Sequence, residues 1–188
     1  MDIPIEKNKE YIVDIIDHGF EGEGIAKIDG FTIFVNEAIK GEKCKIRILK
    51  VTKSHAFAKI IEIIKKSKYR VEPDCGTYKR CGGCNLRHIE YEETLNIKQK
   101  MVENLVKKTL NNNIKVLPTL KMGNPYNYRN KAQFPVGLDK EGKPIMGVFA
   151  RKNTWNNPNE KLPNTKLLFR TNCKFYFRIC KEKEYKCV

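Results

Sequence analysis

Four stretches in the first third of the 188-residue chain decide its fold: YIVDIID at 11–17, FTIFVNEAI at 31–39, KCKIRILKV at 43–51 and AFAKIIEII at 56–64. Each is short and rich in β-branched and aromatic residues, and turn material such as HGFEGEG, KIDG and KGEK separates them. Several short strands at this spacing are typical of a small β-barrel. Glycines such as Gly30 supply the tight turns that a barrel needs.

The hydrophobic pattern changes after the barrel. A helical pattern runs from about residue 90 to 110, with apolar side chains on one face and lysines around the rest. Downstream, IKVLPTL at 114–120 is predicted as a strand. The stretches at 130–138 and 144–150 flank the turn DKEG and predict a hairpin. A small α+β domain is therefore expected behind the barrel.

The charge of the chain favours an anionic partner. The net charge is +15, and it is distributed unevenly: residues 1–64 hold 10 Lys and Arg against 11 Asp and Glu, whereas residues 65–188 hold 27 against 11. This asymmetry predicts a nucleic-acid partner for the later part and disfavours a small electron carrier. A lysine-rich surface that only contacts water is the alternative. No apolar run of about 18 residues occurs, so we expect a cytoplasmic protein without a membrane span.

The seven cysteines indicate metal binding rather than disulfides, since no secretion signal is evident and the cytosol keeps thiols reduced. Cys44 lies in a strand and is expected to be a buried apolar residue. Cys75, Cys81 and Cys84 lie close together, the last two in CGGC, which suits an iron-sulfur cluster. A zinc site formed by the same three cysteines with His88 is the alternative, although His88 is expected to serve in packing or hydrogen bonding.

A set of motifs in this chain resembles, in order along the sequence, the bacterial RNA m5U methyltransferases that modify 23S rRNA. The resemblance runs from about residue 10 to 152 and includes the barrel, the CGGC loop and the YRNK segment. Its motifs are GFEGEGIA, VNEAIKGE, AFAKIIEI, SKYRVEPDCGTYKRCGGCNLRHIEYEETLNIKQK and YRNKAQFPV.

The resemblance implies a domain organisation. Residues 1–66 would form an OB-like TRAM barrel that binds RNA, and residues 67–152 a partial α+β iron-sulfur domain. Cys75, Cys81 and Cys84 would be ligands of a [4Fe-4S] cluster. In the full-length family a C-terminal Rossmann-like domain binds S-adenosylmethionine. There, a cysteine attacks C6 of a flipped-out uridine, C5 takes the methyl group, and a base removes the C5 proton.

A second RNA contact is expected around residue 128. Tyr128, Arg129 and Lys131 place an aromatic face and two cationic groups within a few residues, the combination that stacks unpaired bases and holds phosphates. The alternative is that Tyr128 belongs to the core and Arg129 only contacts water. The resemblance places the arginine and lysine either on RNA or at a domain junction.

The resemblance ends after Lys152. Residues 153–188 lack the expected Thr-His pair, Ile pair and fourth cluster cysteine, and a one-base change of reading frame at the Lys152 codon would restore all three. The chain is therefore expected to be an N-terminal fragment that is inactive alone. It would lack the Rossmann-like domain, the S-adenosylmethionine site and the fourth ligand, and its tail would be poorly ordered. The competing hypothesis is a stand-alone TRAM and metal-loop module that binds RNA without catalysis.

Overall fold

The structure is a computed structural model, and it divides into two compact units: Met1–Glu72 with Asn85–Lys121, and Pro73–Cys84 with Met122–Val188. Among the described residues, no helix has the length and apolar character that crossing a bilayer requires. The predicted domain bounds at 66 and 152 stay predictions. The residues described are 3–76, 78–79, 81–110, 114–126, 128, 136–138, 141, 144–149 and 156–158.

The first unit is built on a six-stranded sheet with the strand order β1-β5-β6-β4-β3-β2. Only β4 and β6 run parallel; every other neighbouring pair is antiparallel. The four predicted strands are confirmed, whereas the sequence pattern did not single out β3, a five-residue strand directly after a glycine-rich turn. The strands are β1 (Glu10–Asp14), β2 (Asp17–His18), β3 (Gly24–Ile28), β4 (Phe31–Asn36), β5 (Lys43–Val51) and β6 (His55–Lys65).

One hydrophobic core lies on the inner face of this sheet. In β5, Cys44, Ile46 and Ile48 alternate with outward-facing residues and are fully buried, which confirms the prediction for Cys44. β1 and β3 contribute to the same core although three strands separate them in the sheet order. The Ile16 N–H, just after β1, donates to the Ile25 carbonyl of β3 at 2.8 Å. The sheet therefore curls around its core, as expected for a small barrel.

Helix α1 (Tyr91–Thr109) confirms the helix predicted at 90–110. Its buried side is anchored by Ile97, which joins Ile39 and Ile89 in a second, smaller apolar cluster. The predicted apolar face is only partly covered among the described residues, since Leu105 near the end of the helix is 47% exposed. Most of the helix packing is thus concentrated in its first half.

The strand predicted at 114–120 is wrong: these residues form no strand in the structure. Pro118 has no N–H to donate to a sheet ladder, and Leu117 and Leu120 are strongly exposed. Thr119 instead donates its hydroxyl hydrogen to the Leu95 carbonyl at 3.2 Å. The segment after α1 is therefore tied to the helix by a side-chain hydrogen bond rather than paired with a strand.

The second unit contains a three-stranded antiparallel sheet of β7 (Val136–Leu138), β8 (Pro144–Phe149) and β9 (Asn156–Pro158). Pairing of β7 with β8 confirms the predicted hairpin. β9 falls within the tail that was expected to be poorly ordered. The remainder of that tail, including its three cysteines, lies outside the described residues.

Candidate nucleic-acid interface

Three aromatic rings cluster on the outer face of the sheet. Phe34 of β4 lies directly opposite Phe57 of β6 in parallel register. Their ring centroids are 5.8 Å apart with an interplanar angle of 28°. His55 meets both rings edge-on, at 5.5 Å from Phe34 and 5.1 Å from Phe57. All three side chains are half-buried, so they form one continuous aromatic surface, here called the aromatic trio.

Lysines border the aromatic trio on the same face. Lys50 of β5 lies opposite Phe57, and Lys59 lies two residues beyond Phe57 along β6. Lys27 of β3 pairs with Thr32, which pairs with His55, so Lys27 shares a row with the imidazole. All three lysines are exposed and take part in no ion pair between described residues. Their charges are therefore available to an anionic ligand.

A buried ion pair fastens the segment that follows the barrel. The Glu42 carboxylate is fully buried and accepts hydrogen bonds from Arg70 Nε at 2.6 Å and Arg70 Nη2 at 2.8 Å. It also accepts from the backbone N–H of Ile39 at 2.9 Å and of Ser67 at 3.3 Å. Arg70 Nη2 donates in addition to the Glu37 carbonyl. Both charges are thus paired and hydrogen-bonded, the condition under which burial is tolerated.

The pKa of Glu42 reflects these contacts. Burial raises the pKa of this carboxyl, but the hydrogen bonds from Arg70 and Ile39 and the charge of the guanidinium together lower it further than burial raises it. The pKa of Glu42 therefore lies below its ordinary value, and the carboxylate is ionised at neutral pH.

The β2–β3 loop contacts the residues just after the CGGC motif. Asn85 Nδ2 donates to the Glu21 carbonyl at 3.2 Å. Gly22 has a φ of +90°, and a Cβ built there would lie 2.5 Å from Leu86 Cδ2. Only glycine satisfies both the backbone conformation and the close approach. The sequence pattern predicts turns in this loop but gives no sign of a contact with residues 85 and 86.

The three predicted cluster cysteines lie in the second unit. Cys81 is nearly buried, whereas Cys75 and Cys84 are partly exposed. The Gly83 N–H donates to Cys81 Sγ at 3.3 Å, and the Tyr78 N–H donates to the Cys75 carbonyl at 2.9 Å. The loop therefore has a compact turn and one N–H···S hydrogen bond, a contact that metal-bound thiolates also accept.

The described geometry does not supply a metal centre. Within the part of the chain that the structure describes, no group of three or more His, Cys, Asp or Glu side chains is placed to hold a metal ion. His88 is 2% exposed, and its expected role in packing or hydrogen bonding stays a prediction.

The predicted RNA contact near residue 128 is only partly described. Tyr128 is 51% exposed, so its ring is not part of the core. Arg129 and Lys131 lie outside the described residues. The functional surface that sequence reasoning missed is the aromatic trio. A signal for it existed, because Phe34 and Phe57 occupy outward positions in their strands, where alternation predicts polar residues.

The family model of the TRAM domain matches residues 4–61 of this chain. An uncharacterized RNA methyltransferase of Clostridium acetobutylicum is 44% identical over 154 residues, which is 80% of this chain and 33% of the relative. An uncharacterized RNA methyltransferase of Clostridium tetani is 45% identical over 152 residues, 81% of this chain and 33% of the relative. The chain thus spans about a third of the length of these curated relatives.

Among solved structures, the tRNA (uracil-54, C5)-methyltransferase of Pyrococcus abyssi, in complex with S-adenosyl-L-homocysteine, superposes with a TM-score of 0.57. The match covers 92% of this chain and 37% of that one, at 18% sequence identity. At this identity the similarity establishes the fold. The chain therefore shares its arrangement of strands and helix with that tRNA methyltransferase.

Proposed function

We propose that this chain supplies the RNA-binding region of an S-adenosylmethionine-dependent rRNA uracil-C5 methyltransferase. The proposal is supported by the TRAM match at residues 4–61 and by the similarity to RNA methyltransferases over about 80% of the chain. The observation that carries this proposal is the 44% identity to an RNA methyltransferase over 80% of the chain. The outer face of the sheet supports it, because exposed lysines there border an aromatic surface.

Two further observations support uracil as the target base. The motifs around CGGC resemble those of 23S rRNA m5U methyltransferases, and the solved structure that shares the fold acts at C5 of uracil-54 in tRNA. Attack at C6, methyl transfer to C5 and removal of the C5 proton are proposed for the family as a whole. The residues described here contribute binding and positioning of RNA.

Cys75, Cys81 and Cys84 are proposed as ligands of a [4Fe-4S] cluster on their spacing and on the two glycines of CGGC. Anaerobic reconstitution with iron and sulfide should produce broad absorption near 400 nm, and Cys81→Ser should abolish it. Cys44→Ser is the matched control and should retain it. Stoichiometric zinc in a colourless protein would contradict the assignment.

RNA binding is tested by fluorescence anisotropy of the full chain with a labelled rRNA hairpin. The logarithm of affinity should fall linearly with the logarithm of salt concentration, because bound lysines displace counterions from the phosphates. Lys50→Gln should weaken binding and flatten this slope. Lys43→Gln is the matched control, since it removes the same charge at the other end of β5, about 23 Å away. Salt-insensitive binding would contradict the proposal.

The alternative function is an RNA-binding module that acts without catalysis, which is supported by the TRAM match at residues 4–61. The two functions differ in selectivity. A methyltransferase region should prefer the rRNA hairpin over an unrelated hairpin of the same length and loop base composition. A general module should bind both equally. Tyr128, Arg129 and Lys131 stay a proposed second contact, testable by Arg129→Gln in the same titration.

A further inference from the structure

We propose that the aromatic trio is a platform on which unpaired RNA bases stack while Lys27, Lys50 and Lys59 hold the adjoining phosphates. This inference rests on the proposed function and deepens it, because it assigns the contact to particular side chains and to single-stranded rather than duplex RNA. It predicts that base identity matters less than the presence of a base, since every base has a flat π-face.

The position of the rings excludes a role in the main core. In β4, Phe34 alternates with Ile33 and Val35, which are fully buried, and in β6 Phe57 alternates with the equally buried Ala56 and Ala58. Neighbours along a strand point to opposite faces of the sheet. Phe34 and Phe57 therefore point away from the core, and neither is among the residues packed against it. Small alanines occupy the inner positions while the large rings occupy the outer ones.

The rings are held in place before any ligand arrives. Parallel register of β4 with β6 places Phe34 beside Phe57, and His55 Nδ1 lies 3.0 Å from Ser54 Oγ. A Cβ at Gly19 would lie 3.3 Å from Phe34 Cδ1, so the β2–β3 loop lies against one edge of the trio. The next residue in this loop, Phe20, is 78% exposed. A base that stacks here orders few side chains, which favours binding.

Charge complementarity identifies the occupant as a nucleic acid. Lys50 lies opposite Phe57 and Lys27 shares a row with His55, so cationic groups lie on two sides of the rings. Glu10, the acidic residue across from Arg47 on the same face, is itself bonded to Arg47 and Lys45. A ligand that alternates flat apolar groups with negative charges matches this pattern, and single-stranded RNA is such a ligand.

The decisive experiment measures binding of the full chain to a fluorescein-labelled 12-nucleotide oligouridylate by anisotropy. Phe57→Leu keeps an apolar side chain but removes the ring, and it should raise Kd by about 5- to 150-fold, the range measured for lost base stacking. Phe57→Trp should bind at least as tightly as the wild type. Phe31→Leu is the matched control, because the same change is made in β4 at a side chain that packs against the core.

Two further readouts separate stacking from charge. Phe57→Leu should leave the salt dependence of binding unchanged, whereas Lys50→Gln should flatten its slope by about 0.7. An abasic 12-mer has the same phosphates but no bases. The wild type should therefore bind it more weakly than it binds oligouridylate. The wild type and Phe57→Leu should bind the abasic 12-mer with equal affinity. In the wild type, oligouridylate should shift the backbone amide resonances of residues 32–36 and 55–59 most strongly.

The outcomes distinguish this inference from the proposed function. If the wild type binds RNA but Phe57→Leu binds equally well, the platform is wrong while the RNA-binding function stands. If the wild type binds no RNA at any salt concentration, both fail. If Phe57→Leu does not fold, the amide shifts decide: maximal shifts outside β4 and β6 overturn the platform, and maximal shifts within them support it.

Discussion

The curled sheet and the cysteine loop at 73–84 differ in what holds their side chains in place. In the sheet, ladder hydrogen bonds set the register and fully buried residues such as Ile33 and Ile46 lock each strand against the core. In the described part of the loop, the Gly83 N–H donates to Cys81 Sγ and the Tyr78 N–H donates to the Cys75 carbonyl. The surface on the sheet is therefore held by strand register and core packing, whereas these contacts of the loop join residues only two or three positions apart in the sequence.

The largest loss of stability is expected from breaking the ion pair that joins the sheet to the segment after it. Glu42→Gln leaves the Arg70 guanidinium largely buried without its counter-charge, so it should lower the free energy of unfolding by about 3–5 kcal/mol. Glu10→Gln is the matched control. Glu10 bonds Lys45 and Arg47 at the surface, where such pairs contribute little. Urea unfolding followed by circular dichroism measures both, and equal effects of the two changes would contradict the assignment.

The same ion pair makes stability depend on pH in the acidic range. The pKa of Glu42 is below its ordinary 4.5 in the folded chain, so the unfolded chain binds the proton more readily. Its stabilising contribution is complete above about pH 4.5 and is lost as the pH falls through the lower, folded value. The difference in Tm between the wild type and Glu42→Gln should therefore narrow below pH 4.5. If the difference in Tm stays constant from pH 7 to pH 3, the ionised Glu42 carboxylate is not the source of the pH dependence.

A smaller effect is expected from two glycine substitutions that compare the two regions directly. Gly22→Ala combines an unfavourable φ of +90° with a contact of 2.5 Å to Leu86, and it should destabilise by about 1–3 kcal/mol. Gly76→Ala in the cysteine loop meets nothing within 4 Å and should leave Tm unchanged. In a background that already carries Leu86→Ala, Gly22→Ala should cost less stability, because the contact is gone and only the cost of the unfavourable φ is left. If both substitutions lower Tm equally, the sheet and the cysteine loop do not differ in how tightly they are packed at these glycines.

The last prediction concerns the reactivity of the thiols rather than stability. Burial raises the pKa of Cys44 to about 11, so at pH 8 only about one thousandth of this thiol is ionised. Cys75 is partly exposed and should react first with iodoacetamide. Mass spectrometry of peptides from the folded protein should show Cys44 unmodified at pH 8, with reactivity rising toward pH 11 or after unfolding. Rapid labelling of Cys44 at pH 8 would show that the strand does not protect it.

Local patterns predicted much of the fold. Alternation and turn residues predicted four barrel strands, helical periodicity predicted α1, and DKEG predicted the β7–β8 hairpin. The strand expected at 114–120 was wrong because a short apolar run with Pro118 forms a strand only if a partner strand is present. β3 was overlooked because five residues after a glycine-rich turn carry too weak a periodic signal.

By itself, the sequence determined the small curled sheet, the basic character of the later chain and the resemblance to RNA methyltransferases, since each depends on residue order or residue type alone. Only the tertiary structure decided which side chains meet. Strand register placed Phe34 beside Phe57 and His55, and it brought Glu42 to Arg70 across 28 residues of chain. Register and long-range contacts arise from packing summed over the whole core, so no local pattern contains them. The candidate surface lies where that packing left aromatic rings facing outward.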